Sequence, residues 1–127
     1  MQTRDDLAAR SRDGHLALRR VERQQALIET LAGGGWRTAG QLADRLQVSV
    51  RTVERDLERL RDAGVPFRSR PGRSGGIALP VTARRATVVL DVAEIGALVA
   101  SLAAVGPTSS PSATSATLKL VAALEDH

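Results

Sequence analysis

"LADRLQVSVRTVERDLERL", Leu42 to Leu60, decides the fold. Apolar residues recur in it at near-helical spacing, the pattern breaks once at Gln47 to Ser49, and Arg51, Arg55 and Arg59 then follow four residues apart. With Val50 at the origin and about 100° per residue, Val53, Leu57 and Leu60 fall within about 80° of it, so one face is expected to be core. Arg51, Arg55 and Arg59 fall at about 100° to 180°, with Thr52 at about 200°, and look out from the opposite face. Two helices joined by a tight turn, the second carrying basic and hydroxyl side chains on its early exposed turns, is the arrangement that lets a helix enter a major groove. The competing reading is a solvated amphipathic face. Glu54, Asp56, Glu58 and Asp62 are interleaved with the arginines, and such pairs are routine on exposed helices, worth roughly 0.2 to 0.5 kcal/mol each.

Working outward, "LRRVERQQALIETLA" (Leu18 to Ala32) predicts a first helix with Leu18, Val21, Leu27, Ile28 and Leu31 near one face, closed by Gly33 to Gly35. Thr38 with Gln41 three positions on has the form of a capping box and opens a second helix to about Leu46 that buries Leu42, Ala43 and Leu46. Ser49 caps the third helix, which Gly64 stops after Ala63. Beyond Pro66 the pattern changes: Phe67 to Arg70 and Ile77 to Leu79 predict two strands about a Pro/Gly/Ser-rich turn. Between Phe67 and Leu79, Arg68, Arg70 and Arg73 bring three positive charges and no acid, as expected of a wing lying along a nucleic-acid backbone or in a minor groove. "PGRSGG" in that turn is no phosphate-cradling loop, because no strand leads through it into a helix and no GK[ST] follows.

A third short strand is expected at Ala86 to Leu90. Asp91 with Glu94 then caps a helix carrying Val92, Ile95, Leu98, Val99, Leu102 and Val105 on one face. The composition of "GPTSSPSATS" (106 to 115) reads as a linker, and Leu118, Val121 and Leu124 mark a short final helix. The expected organisation is a flexible N-terminal arm (1–17), a mainly α winged helix-turn-helix with a β-hairpin wing (18–80), and a helical appendage (81–127). The appendage either pairs two chains as a homodimer or folds back on the chain's own core.

Composition narrows the chemistry. The 127 residues carry a net charge of +4, and residues 1–80 hold 15 Arg against 10 acids whereas 81–127 hold 3 basic residues against 4 acids. The positive field therefore belongs to the first two thirds. All basic residues but Lys119 are Arg, which suits bidentate phosphate and guanine contacts, although a GC-rich coding bias gives the same composition. With no Cys, no Tyr, and His15 and His127 toward the two ends, the sequence offers no nucleophile, base and orienter set, no metal site and no cofactor motif, so no enzyme is expected. The absence of Cys suits a reducing cytoplasm, and neither a signal peptide nor an apolar run long enough to span a membrane is seen.

"TAGQLADRLQVSVRTVERDLERLRDAGVPFRSRPGRSGGIAL" (Thr38 to Leu79) resembles the winged helix-turn-helix of DeoR-like bacterial transcriptional regulators, especially the group with a C-terminal WYL domain. Asp91 to Leu102 and "ATLKLVAALED" resemble the helices that follow the wing in that group, so the likeness covers roughly residues 18 to 127 and stops where the effector domain begins. It implies a bacterial regulator that binds double-stranded DNA, with no small-molecule effector evident in these residues. Thr38, Ser49, Arg51, Thr52, Arg55, Arg59, Arg68, Arg70 and Arg73 are the expected DNA contacts. The sequence departs from the pattern at Gln47, where the group has Gly, so a left-handed residue costing on the order of 1 kcal/mol is expected there. A winged helix used only to bind protein is the alternative; it has no need of the arginine face. A nucleic-acid enzyme needs clustered carboxylates, and none are seen.

Overall fold

The computed structural model describes residues 3–73, 75–80 and 85–125. Five helices and a hairpin follow one another: α1 (Arg4–Ala32), α2 (Ala39–Leu46), α3 (Val50–Asp62), β1 (Arg68–Arg70), β2 (Gly76–Ala78), α4 (Val92–Val105) and α5 (Pro111–Ala123). The chain divides into two compact units. One is Arg23–Ala86; the other joins Met1–Glu22 to Thr87–His127.

In the Arg23–Ala86 unit, the C-terminal part of α1 packs with α2, α3 and the hairpin. Leu27 and Leu31 from α1, Leu42 and Ala43 from α2, Val53 and Leu57 from α3, and Ile77 from β2 form one buried cluster, flanked by Ala39, Leu46, Val48, Leu60, Phe67 and Leu79. Each fully buried Leu contributes roughly 1.5–3 kcal/mol. The expected core face of α3 is therefore present except at its origin: Val50 sits on the first turn and stays exposed. Ile28, Leu18 and Val21 are only half-buried.

The turn between α2 and α3 takes the conformation that the sequence predicted. Gln47 is left-handed (φ 57°, ψ 47°), the one described non-glycine residue with positive φ. The Val48 amide donates to the Ala43 carbonyl at 3.0 Å and the Gln47 amide to Asp44 at 3.4 Å, closing a Schellman motif whose apolar partners, Val48 and Ala43, join the core cluster. Gln47 Nε2 also donates to the Asp44 carbonyl at 2.7 Å. The α3 terminus repeats the motif with Gly64 (φ 103°): Val65 donates to the Leu60 carbonyl and Gly64 to Arg61, both at 2.9 Å.

The hairpin is antiparallel, with Arg68, Ser69 and Arg70 opposite Ala78, Ile77 and Gly76. Arg37 adds a single-residue bridge on the other edge of β2, exchanging backbone bonds of 2.9 and 2.7 Å with Ile77. Glycine is required twice here. A Cβ on Gly75 would lie 2.1 Å from the Arg70 carbonyl oxygen, and one on Gly76 2.3 Å from that of Arg37.

Three expectations about the flanks are corrected. The segment 4–17, expected as a flexible arm, is helical, because α1 begins at Arg4, with Thr3 Oγ1 accepting from the Asp6 amide (3.2 Å) and Asp6 Oδ2 from the Thr3 amide (3.3 Å). Ala86 to Leu90 forms no strand; Val88 and Val89 are exposed and no described backbone pairs with them. The 106–115 linker is shorter than its composition suggests, because Pro111 occupies the first turn of α5 and Ser110 Oγ caps it, accepting from the Ala113 amide at 3.0 Å. The second unit packs α4 against α5 with Ile95 and Ala113 buried, and the N-terminal part of α1 meets the end of α4 around an apolar cavity of about 220 Å³ lined by Gly14, Ala17, Leu18, Val21, Ala104 and Val105. His15 is exposed; His127 lies outside the described residues. Among the described residues no helix is long and apolar enough to cross a membrane.

Candidate nucleic-acid interface

The N-terminus of α3 is built by Ser49, whose Oγ accepts from the Thr52 amide at 3.1 Å and lies 3.0 Å from Thr52 Oγ1. The α2 start is built likewise by Thr38 and Gln41: Thr38 Oγ1 accepts from the Gln41 amide (3.1 Å) while Gln41 Oε1 accepts from the Thr38 amide (2.9 Å). Thr38 and Ser49 are thus helix caps first, and Thr52 is the residue whose amide Ser49 caps. Each hydroxyl keeps further bonding capacity, and Ser49 is exposed.

The arginines divide into two sets. Arg51, Arg55, Arg68 and Arg73 are exposed and make no hydrogen bond or ion pair with the described residues. Arg59 and Arg70 are engaged. The Arg59 Nη1 lies 3.6 Å from Asp56 Oδ1, with the Arg59 side chain 48% exposed. The Arg70 guanidinium stacks over the Trp36 ring at 4.3 Å from its centroid. The wing is also tied to the end of α3, since Arg61 Nη2 donates to Ser69 Oγ at 2.9 Å and its guanidinium lies 5.8 Å from the Phe67 centroid.

Asp56, one of the interleaved acids on which the competing solvated-face reading rests, is instead fully buried. Arg23 Nε donates to Asp56 Oδ2, Arg23 Nη2 to Oδ1 at 3.1 Å, and Gln24 Nε2 to Oδ1 at 3.3 Å. The hydrogen bond to Asp56 raises the Arg23 pKa above its ordinary value against the opposing effect of burial, with the charge of Asp56 adding to the rise. A raised basic pKa stabilises the fold below the unfolded value and stops doing so only above the folded one, so this contribution is constant through the neutral range and lost only in strong alkali. A signal for Asp56 was present: on the helical wheel it falls at about 240°, between Arg59 at about 180° and the core residue Leu60 at about 280°. Its partners, on another helix, had none.

Residues 23–77 match the HTH domain family. That span contains the Leu27 to Ile77 core, the left-handed turn and both strands up to Ile77. The Arg23–Ala86 unit is a winged helix-turn-helix. Among curated proteins, this chain is similar to the uncharacterized HTH-type transcriptional regulator YobV of Bacillus subtilis (strain 168), at 33% identity over 92 residues, which are 72% of this chain and 29% of the relative. The chain thus spans less than a third of that relative's length. No solved structure matches it.

Proposed function

We propose that the winged helix-turn-helix binds double-stranded DNA sequence-specifically as a bacterial transcriptional regulator of the DeoR-like, WYL-associated kind. The recognition helix, about 50–63, enters the major groove, and the wing, 67–79, lies on the backbone or in the minor groove. The observation that carries this is that Arg51 and Arg55 are exposed, on the face of α3 opposite Val53 and Leu57, and make no hydrogen bond or ion pair with the described residues. Structural surface pairs would have used them; these remain available to an outside anion. Arg51, with Ser49 and Thr52, stands at the helix start, where base edges are met, and Arg55 and Arg59 stand further along, where phosphates are met. Arg68 and Arg73 extend the contact through the wing. The reading is of a binding protein, not of an enzyme.

Selection of bound sequences from random duplex DNA tests it. An enriched motif is expected; retention of folded protein without any enrichment sinks the specific reading. On the selected site, Arg51→Ala should relax preference at one or two positions and cost about 1–3 kcal/mol, while Arg55→Ala should weaken all sequences alike.

Pairing of two chains belongs to the same proposal. Leu7, Leu16, Val88, Val89, Val92, Leu98, Leu118, Val121 and Leu124 are large apolar side chains left exposed in the unit made of α4, α5 and the start of α1. A symmetric dimer through α4 and α5 covers part of that surface and presents two recognition helices to half-sites about 10 bp, or a multiple, apart.

A further inference from the structure

The buried carboxylate of α3 has more partners than packing requires. Asp56 accepts from Arg23 and Gln24 on α1, which already satisfy a charge taken out of water. A third donor group, the Arg59 guanidinium, stands 3.6 Å from Asp56 Oδ1, with about half of its side chain still in solvent. One end of Arg59 therefore faces a fixed negative charge while the rest stays open. Arg55, one turn earlier on the same face, has no such anchor among the described residues. Holding a long side chain still before it meets a ligand removes part of the ordering cost of binding.

We propose that Asp56 is a positioning residue for nucleic-acid contact: itself buried and fastened to α1 through Arg23, it holds the Arg59 guanidinium in the pose that meets a backbone phosphate. The proposal rests on the DNA-binding reading above and assigns Arg59 a preset role and Arg55 an adaptable one. Asp56 touches no DNA. Its influence passes through Arg59, so the two residues act as a unit and their effects on binding do not add.

A double-mutant cycle in the full chain tests this, with duplex DNA affinity measured over a salt series for the native protein, Arg59→Gln, Asp56→Asn and the double variant. In the native background Arg59→Gln should lower affinity several-fold and remove about 0.9 from the slope of log affinity on log salt. In the Asp56→Asn background the fold-loss from Arg59→Gln should fall to about half or less. An Asp56 that only stabilises the fold leaves that fold-loss the same in both backgrounds, and this result overturns the proposal. Failure of the native protein to bind duplex DNA instead overturns the DNA-binding reading, and the proposal with it. If Asp56→Asn does not fold, ¹⁵N relaxation of the arginine Nε groups in the native protein decides. Arg59 more ordered than Arg55 supports the positioning role, and equal mobility overturns it.

Discussion

The two units spend their apolar residues in opposite ways. Arg23–Ala86 buries Leu27, Leu31, Leu42, Ala43, Val53, Leu57, Ile77 and Ala78, and among the described residues leaves only Val50 as an exposed large hydrophobic. Among its described residues, the unit formed by Met1–Glu22 and Thr87–His127 buries Ile95 and Ala113 and exposes nine large apolar side chains, Val89 at 92% among them. The first is a small domain with its own core and with arginines exposed on α3 and the wing. In the second, amphipathic or apolar helices form without a core to match, a state that isolated helices in water rarely sustain without a packing partner. Charge follows the same division: the core-rich unit holds the exposed arginines of α3 and the wing, and the other holds the apolar surface.

The contrast breaks most visibly under truncation. Leu42→Ala, at a side chain 1% exposed, should cost about 2–5 kcal/mol in chemical denaturation, whereas Leu118→Ala, at 68% exposed, should cost less than about 0.5 kcal/mol in a monomer. A Leu118→Ala cost that grows with protein concentration places that face in an interface. Asp56→Ala ranks with the core, since it leaves the Arg23 charge without its carboxylate, and about 3 kcal/mol is expected, the low end for a broken buried pair because Arg23 is partly exposed. Leu98→Ser combined with Leu118→Ser should shift sedimentation of the full chain from dimer to monomer without moving the unfolding midpoint of the winged domain. A native chain that sediments as a monomer at tens of micromolar removes the pairing proposal.

Smaller effects sharpen the comparison within the winged unit. Gly75→Ala forces a Cβ against the Arg70 carbonyl, so the wing should distort, at about 1–3 kcal/mol, while the helical signal persists. DNA affinity should fall with it, and unchanged affinity argues that the wing makes no contact. Gln47→Gly should stabilise the domain by about 1 kcal/mol or somewhat less, through relief of the left-handed turn offset by loss of the Nε2 bond to Asp44. A destabilising outcome would show that the side-chain bond outweighs the strain.

What the sequence made legible was local. Caps at Thr38, Ser49 and Asp91, the left-handed Gln47 and the stop at Gly64 each depend on residues within a few positions, and all appear as read. The face of α3 was legible from periodicity alone. Errors came where the deciding partner was distant or where composition misled. Asp56 is buried because Arg23 and Gln24, 33 and 32 residues away, come to meet it. "ATVVL" has the β-branched content of a strand but no described strand to pair with it. The start of α1 was masked by its charge, although Thr3 and Asp6 spell a capping pair and the run is rich in Ala, Arg and Leu, good helix formers that need no buried face to signal them. In the candidate interface, the exposed arginines were found by angle, while the engagement of Arg70 with Trp36 across the wing was not.

The arginines of α3 and the wing are expected to meet a phosphate backbone. Fluorescence anisotropy of a labelled duplex, titrated with the full chain over a range of salt concentrations, tests it most directly. Log affinity is expected to fall linearly with log salt by about 0.9 per phosphate contacted, and Arg55→Ala should take about one such contact from the slope. A flat salt response from protein that circular dichroism shows to be folded would contradict this expectation.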